Sequence, residues 1–160
     1  MGKEIERKYL VTSGDWRKEA GNGVPYRQGY LSDVPERSVR IRVAGKEAYI
    51  TVKGRSSGSV RDEFEYPIPL ADAEAMLTLC IKPLIEKRRY KVARDYLTWE
   101  IDEFGGENEG LVIAEVELDS DKQQIKKPEW VGKQVTGDSR YFNLSLMHHP
   151  YSEWNYKEDP

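Results

Sequence analysis

The most constraining feature of the 160-residue sequence is a two-residue alternation of apolar and polar side chains, repeated in short runs along most of its length. The runs are rich in β-branched and aromatic residues and are bounded by Gly, Pro, Asp or Asn, which is typical of half-buried β-strands. The predicted strands are 3–11, 25–32, 37–44, 47–54, 60–68, 85–94, 96–103 and 111–119. The short connections at 44–46 and 94–95 predict hairpin turns and a mostly antiparallel sheet.

Nearly every predicted strand carries one charged stripe and one apolar stripe. In the most regular case, Glu115 and Glu117 alternate with Ala114, Val116 and Leu118. Charged residues in the other stripes include Glu4, Glu6, Lys8, Arg40, Arg42, Lys53, Arg61, Glu63, Glu65, Lys87, Arg89, Glu100 and Asp102. For any single strand, the ordinary interpretation is an apolar face on the core and a charged face in water. With 28 acidic residues in 160, about five acid-x-acid pairs are expected by chance, so no single pair identifies a site.

Taken together, the charged stripes favour an inward orientation. Carboxylates two residues apart on one strand face repel each other, and stacking several such strands requires cations between them. The lysine and arginine stripes require an anion for the same reason. A polyanion such as triphosphate, clamped by basic side chains and bridged to the carboxylates by hard divalent cations, satisfies both requirements. A sheet closed into a barrel would in addition have no exposed edges.

If the charged stripes face inward, helices must cover the apolar stripes outside. Helical stretches are predicted at 13–20, 70–80 and 138–147. A fourth short helix is predicted to begin at Ser120, with Asp121 in its first turn, and to end before Pro128. The predicted fold class is α+β, a closed eight-stranded antiparallel β-barrel with helices packed outside. We expect a single domain over 1–160, in which 148–160 is a flexible or docked tail.

Charge balance and cysteine content narrow the compartment and the partners. The formal net charge of -3 argues against a nonspecific nucleic-acid coat and provides no polybasic membrane anchor. Cys80 is the single cysteine, so no intrachain disulfide can form and a reducing compartment is favoured. No apolar run approaches the roughly 20 residues that span a bilayer, and the start of the chain lacks the apolar core of a signal peptide. We therefore expect a cytoplasmic protein without nucleic-acid or membrane partners, and a homodimer is left open.

The N-terminal segment Glu4-Ile5-Glu6-Arg7-Lys8 resembles the Glu-x-Glu-x-Lys signature of the CYTH superfamily, the triphosphate tunnel metalloenzymes. Segments 39–42, 51–53, 63–66, 86–90, 99–102 and 114–118 resemble the later motifs of that family, in the same order. Segments 27–31 and 132–136 look like those of the short bacterial members. The resemblance covers about residues 1–147.

This resemblance implies a tunnel that hydrolyses or rearranges triphosphates with Mg²⁺ or Mn²⁺, with two ions expected. The implied metal ligands are Glu4, Glu6, Asp102, Glu115 and Glu117. The implied ligands of phosphate oxygens are Lys8, Arg40, Arg42, Lys53, Lys87 and Arg89. Glu63, Glu65 and Lys53 form the implied catalytic group, in which one glutamate orients the attacking water or stabilises a basic neighbour.

The substrate is left open by the sequence. Members of the family include inorganic triphosphatases, thiamine triphosphatases and class IV adenylate cyclases, and a non-catalytic polyphosphate- or nucleotide-binding module is a further alternative. Charged stripes on most strands would leave little apolar wall for a base, which favours inorganic tripolyphosphate. The chain contains no Gly-x-x-x-x-Gly-Lys loop, which excludes a P-loop mechanism.

Several other residues have a structural interpretation. Adjacent His148 and His149 would diverge on a helix or a strand, which argues against a shared metal site. Trp16, Trp99 and Trp130 are predicted to pack in the core. Tyr30 is predicted either to pack or to reach into the tunnel.

Overall fold

The computed structural model describes residues 2–160, and its strands form one antiparallel sheet that closes on itself. The strands are β1 Gly2–Val11, β2 Val24–Ser32, β3 Arg37–Ala44, β4 Glu47–Gly54, β5 Val60–Pro67, β6 Ile81–Arg94, β7 Leu97–Phe104, β8 Val112–Glu117 and β9 Val131–Gln134. The α-helices are α1 Leu70–Leu79 and α2 Asn143–His148. Short 3₁₀ turns occupy Asp15–Lys18, Gly106–Asn108, Ser139–Tyr141 and Tyr151–Glu153.

Strand β1 closes the barrel because it pairs both with β8 and with β5, the strand at the other end of the sheet. The neighbour order runs β5-β4-β3-β2-β6-β7-β8-β1, and β1 then pairs with β5. Residues 2–5 of β1 pair with β5, and residues 6–10 pair with β8. The predicted closed eight-stranded antiparallel barrel is therefore confirmed. Strand β9 adds to β1 at Tyr9 and Val11 and was not predicted, because four residues are too few to show an alternation.

Two tight turns set the register of neighbouring hairpins. Gly45 has a φ of 60° in the turn between β3 and β4, where glycine carries no steric penalty. Asp95 and Tyr96 have φ values of 51° and 65°, so both central residues of the turn between β6 and β7 are left-handed, as a type I′ turn requires. This turn lies one residue later than the predicted 94–95 connection.

The outward stripes of β3, β7 and β8 are apolar and are covered, as predicted, whereas Val52, Phe64 and Tyr66 on the outside of β4 and β5 are 38–53% exposed. Helix α1 buries Ala73 and Leu77 against a cluster that contains Ile41 of β3. A second cluster covers the outside of β7 and β8, where Trp99 contacts the ring of Trp130. The side chains of Trp16, Trp99 and Trp130 are at most 1% exposed, which confirms their packing role. Within residues 2–160, no helix is long and apolar enough to cross a membrane.

The helix predicted from Ser120 does not form. The carbonyls of Asp121 and Gln123 accept hydrogen bonds from the Arg7 guanidinium at 2.9 Å, so they are not used in a helical ladder. The predicted helix at 13–20 is reduced to the single turn Asp15–Lys18. The helix predicted at 138–147 is divided at Phe142, whose backbone is extended between the turn Ser139–Tyr141 and α2.

One end of the barrel interior is apolar. On β1, β6, β7 and β8, the inward positions change from charged to apolar toward this end. The apolar inward residues are Leu10, Ile85, Phe104 and Ile113. They cluster with Tyr141, Leu146, Met147 and Trp154, and all eight side chains are at most 7% exposed. The charged cavity is therefore bounded at one end by the C-terminal segment.

Candidate functional site: a charged tunnel inside the barrel

The charged stripes of most strands face a cavity of about 610 Å³ inside the barrel. The lining includes Glu4, Glu6, Lys8, Arg40, Arg42, Lys53, Arg61, Glu63, Glu65, Arg89, Glu100, Glu115 and Glu117. The inward orientation follows from the same two-residue period that places the apolar side chains outside. Most of the predicted site residues therefore lie together, although they come from strands far apart in the chain.

The basic side of the cavity is formed by β3 and β6. Arg42 and Arg89 both contact the ring of Tyr26, at 4.8 and 5.0 Å from the guanidinium carbon to the ring centroid. Burial, together with the nearby charges of Arg40 and Arg89, lowers the pKa of Arg42 to about 9. Buried like charges repel one another, so a bound anion would relieve this repulsion.

The acidic side is formed by β1 and β8, which pair in register. Glu6 lies opposite Glu117, and Lys8 lies opposite Glu115. Burial would raise the pKa of Glu115, but Lys8 and Arg89 outweigh it and lower that pKa to about 2. Burial and the carboxylates of Glu115 and Glu4 raise the pKa of Glu6 well above its usual value. Ionisation of the Glu6 carboxyl group is therefore unfavourable in free energy, and a bound cation would offset this.

The donor chemistry of this acidic side suits a hard divalent cation. Within the described residues 2–160, no three His, Cys, Asp or Glu side chains lie close enough together to hold an ion as they stand. The candidates Glu4, Glu6, Glu115 and Glu117 nevertheless supply carboxylate oxygens from two adjacent strands, and oxygen donors favour Mg²⁺ or Mn²⁺ over softer metals. To hold an ion together, these side chains would therefore have to reorient within the cavity.

The two glutamates of β5 contact basic neighbours. Lys53 Nζ lies 2.9 Å from Glu4 Oε2 and 3.2 Å from Glu63 Oε2, so it joins β1 to β5 across the barrel closure. Arg40 Nη2 lies 3.2 Å from Glu65 Oε2, which also accepts a hydrogen bond from the Thr51 hydroxyl at 2.8 Å. Both glutamates thus lie next to basic side chains, and the assignment of one of them to orienting water or to stabilising a basic neighbour stays a prediction.

Lys87 and Asp102 face the barrel interior but do not line the cavity, and Lys87 Nζ lies 5.3 Å from the ring centroid of Phe104 at the apolar end. Their side chains are 0% and 1% exposed, and their charged groups are 2.6 Å apart. Asp102 also accepts two hydrogen bonds from Arg89, at 2.7 and 2.8 Å. Burial would raise the pKa of Asp102, but Arg89 and Lys87 hold it well below its usual range. Burial, with Arg89 and Arg42 nearby, lowers the pKa of Lys87 to about 7 in spite of Asp102. The Asp102 carboxylate, itself paired with Lys87, therefore fixes the position of the Arg89 guanidinium.

Sequence reasoning missed several polar residues of the site. Tyr26 and Gln28 share the inward face of β2 with Tyr30, and the alternation along that strand was the signal that could have found them. Asn143 lines the cavity from α2, and no strand periodicity could have placed it there. Tyr30 does both of the things predicted as alternatives, because it packs in the apolar end and also lines the cavity.

A closed antiparallel barrel whose interior sets a basic wall against an acidic wall defines a tunnel protein for a small polyanion. The chain belongs to the CYTH domain family, whose model matches residues 2–151.

Similar proteins agree with this membership. The chain is 54% identical to a protein named inorganic triphosphatase from Acetivibrio thermocellus, over 99% of this chain and 100% of that protein. A solved structure described as the inorganic triphosphatase NE1496 is 34% identical with a TM-score of 0.63, over 89% of this chain and 96% of that one. The PH1012 protein from Pyrococcus horikoshii shares the fold at 19% identity, with a TM-score of 0.58, over 73% of this chain and 79% of that one.

Proposed function

We propose that this chain hydrolyses a linear triphosphate inside the tunnel, with inorganic tripolyphosphate as the preferred substrate and a divalent cation as cofactor. The observation that carries the proposal is that buried basic side chains and closely spaced carboxylates line one cavity, where burial and like charges lower the pKa of Arg42 and raise that of Glu6. A triphosphate and its cations together satisfy both walls. The relatives named inorganic triphosphatase support the same activity.

In the proposed reaction, water attacks the terminal phosphorus, the bridging P–O bond breaks, and the products are orthophosphate and pyrophosphate. Lys8, Arg40, Arg42 and Arg89 would bind the phosphate oxygens and stabilise charge on the leaving pyrophosphate. Lys53 would extend this basic set next to Glu63, with Glu65 holding Arg40. Lys87 does not line the cavity and would act indirectly, through Asp102 and Arg89.

Glu4, Glu6, Glu115 and Glu117 are the proposed metal ligands, and Asp102 belongs to the set only through the family resemblance. Mg²⁺ or Mn²⁺, with two ions expected, would neutralise phosphate charge and lower the pKa of the attacking water. To reach a cation, Asp102 would have to give up its contacts with Lys87 and Arg89, so we rank it below the four glutamates as a metal ligand.

The side chains that line the tunnel favour a substrate without an organic group. The ring of Tyr26 already contacts two guanidinium groups, so less of it is available for stacking on a base. Thiamine triphosphate and ATP would bring apolar rings into a wall that is largely charged. Cytoplasmic localisation remains our prediction.

Phosphate release from tripolyphosphate, ATP and thiamine triphosphate, each with Mg²⁺, Mn²⁺ or EDTA, tests the proposal. We expect activity that EDTA abolishes and a kcat/KM that is highest for tripolyphosphate. Glu115→Gln should remove most turnover, whereas the matched control Glu86→Gln alters an exposed carboxylate of β6 and should retain it. Cyclic AMP among the products would instead identify a cyclase, and binding without turnover would identify a non-catalytic module.

A further inference from the structure

A hydrogen-bonded chain through two neutral amides, Gln28 and Asn143, links the basic side chains inside the barrel. Arg42 donates from Nε to Oε1 of Gln28 at 2.8 Å. Gln28 donates from Nε2 to Oδ1 of Asn143 at 3.2 Å, and the same oxygen accepts from Nζ of Lys87 at 3.1 Å. The chain then continues through the contact between Lys87 and Asp102. It therefore connects the basic side chains of β3 and β6 inside the barrel, and Asn143 is the amide of the chain that also lines the cavity.

The two arginines that this chain connects have partners of different charge. Arg89 is held by the Asp102 carboxylate, which offsets part of its charge. Arg42 is held by the amide of Gln28, whose side chain is 0% exposed. An amide oxygen accepts a hydrogen bond from a guanidinium without cancelling its charge. Arg42 is thus fixed in direction and keeps its full attraction for an anion.

Asn143 is the part of the chain that comes from outside the barrel wall. It is the first residue of α2 and follows Phe142, whose ring centroid lies 5.3 Å from Lys8 Nζ. Its single oxygen accepts from both Gln28 and Lys87, so it fixes the orientation of the Gln28 amide. Removal of that oxygen would take one hydrogen-bond acceptor from each of two buried donors, Gln28 Nε2 and Lys87 Nζ.

We propose that Gln28 and Asn143 are positioning residues that hold the Arg42 guanidinium in its phosphate-binding orientation. This inference rests on the proposed function, since it assumes that Arg42 binds triphosphate. A side chain that is fixed before binding loses less conformational freedom when the ligand arrives. The support would act on the bound substrate and the transition state alike, so its loss should raise KM more than it lowers kcat.

Asn143→Leu and Gln28→Met test the inference, because each keeps the approximate shape and removes the amide. We expect the KM for tripolyphosphate to rise about tenfold in each variant, as for a lost hydrogen bond to a charged group, while kcat stays within about twofold. The double variant should raise KM by clearly less than the product of the two single effects, because both changes break one chain. Asn143→Ala gives the same test should the leucine variant fail to fold.

Asn108→Ala is the matched control. Asn108 is buried, and its Oδ1 accepts from the backbone N–H of Tyr151 at 2.8 Å, so it anchors the C-terminal segment without contacting the tunnel. We expect this variant to have a lower Tm and an unchanged KM. An unchanged KM in both Asn143→Leu and Gln28→Met, or an equal rise in Asn108→Ala, would overturn the inference alone. A wild-type protein that neither binds nor hydrolyses tripolyphosphate would overturn the proposed function as well.

Discussion

Replacing Asp102 with Asn should destabilise the protein strongly before any ligand is added. The carboxylate is 1% exposed and contacts Lys87 and Arg89, so its neutralisation leaves Lys87 without its carboxylate and Arg89 with only its longer contacts to Glu100 and Glu115. Removing one partner of a buried ion pair costs about 3–5 kcal/mol. Because Arg89 also lines the cavity, solvent there would partly offset the loss of its carboxylate partner. We therefore expect the lower part of that range, about 3 kcal/mol.

Urea unfolding followed by tryptophan fluorescence measures this loss, with Asp62→Asn as the control. Asp62 pairs with Lys3 at 2.7 Å, but the two side chains are 58% and 66% exposed, and such surface pairs contribute at most about 1 kcal/mol. For a chain of this size, a loss of about 3 kcal/mol lowers Tm by roughly 6–12 °C. Tripolyphosphate should restore more stability to Asp102→Asn than to the wild type, because the variant has more unpaired positive charge. Equal unfolding free energies for the two variants would refute the reasoning.

The remaining predictions concern the acidic wall and the closed end. The pKa of Glu115 is about 2 against a usual 4.5, so its stabilising contribution is complete above pH 4.5 and is lost as pH falls toward 2. Glu115→Gln should therefore flatten the fall of the unfolding free energy with pH in this range. An unchanged fall would contradict this prediction. Mn²⁺ binding should release protons from Glu6, seen in calorimetry as heats that differ between buffers of different ionisation enthalpy, and Glu6→Gln should abolish the difference. Trp154→Ala should cost about 3 kcal/mol in urea unfolding because the side chain is 7% exposed, whereas Tyr156→Ala, at 64% exposure, should cost little; similar losses would mean that the C-terminal segment does not pack as described.

The barrel could be predicted because its strands follow a two-residue period with charge on one face. That period fixes which side chains share a face, as Glu115 and Glu117 illustrate, and the mutual repulsion of the stripes indicates which face turns inward. The closure itself depends on β1 dividing its pairing between β5 and β8. A local pattern carries no information about such a division, so the closure was supported by the family resemblance.

The features that sequence reasoning missed depend on contacts between distant segments. The helix predicted from Ser120 is absent because Arg7, more than a hundred residues earlier, takes two of its carbonyls. Asn143 enters the cavity because the helix predicted at 138–147 is interrupted at Phe142, next to Lys8. Asp102 and Lys87 face inward as the charged stripes predict, yet their mutual contact is buried and neither side chain lines the cavity. Side-chain pairing of this kind is decided by three-dimensional proximity and leaves no periodic signal.

The affinity of the metal-free protein for tripolyphosphate tests most directly whether the inward basic residues form the anion site. Arg42→Met changes a guanidinium that lines the cavity, whereas Arg88→Met changes an exposed neighbour on the outer face of β6. Calorimetric titration should give a Kd at least about tenfold weaker for Arg42→Met and an unchanged Kd for Arg88→Met. Equal affinities for the wild type and Arg42→Met would contradict the assignment of the tunnel as the triphosphate site.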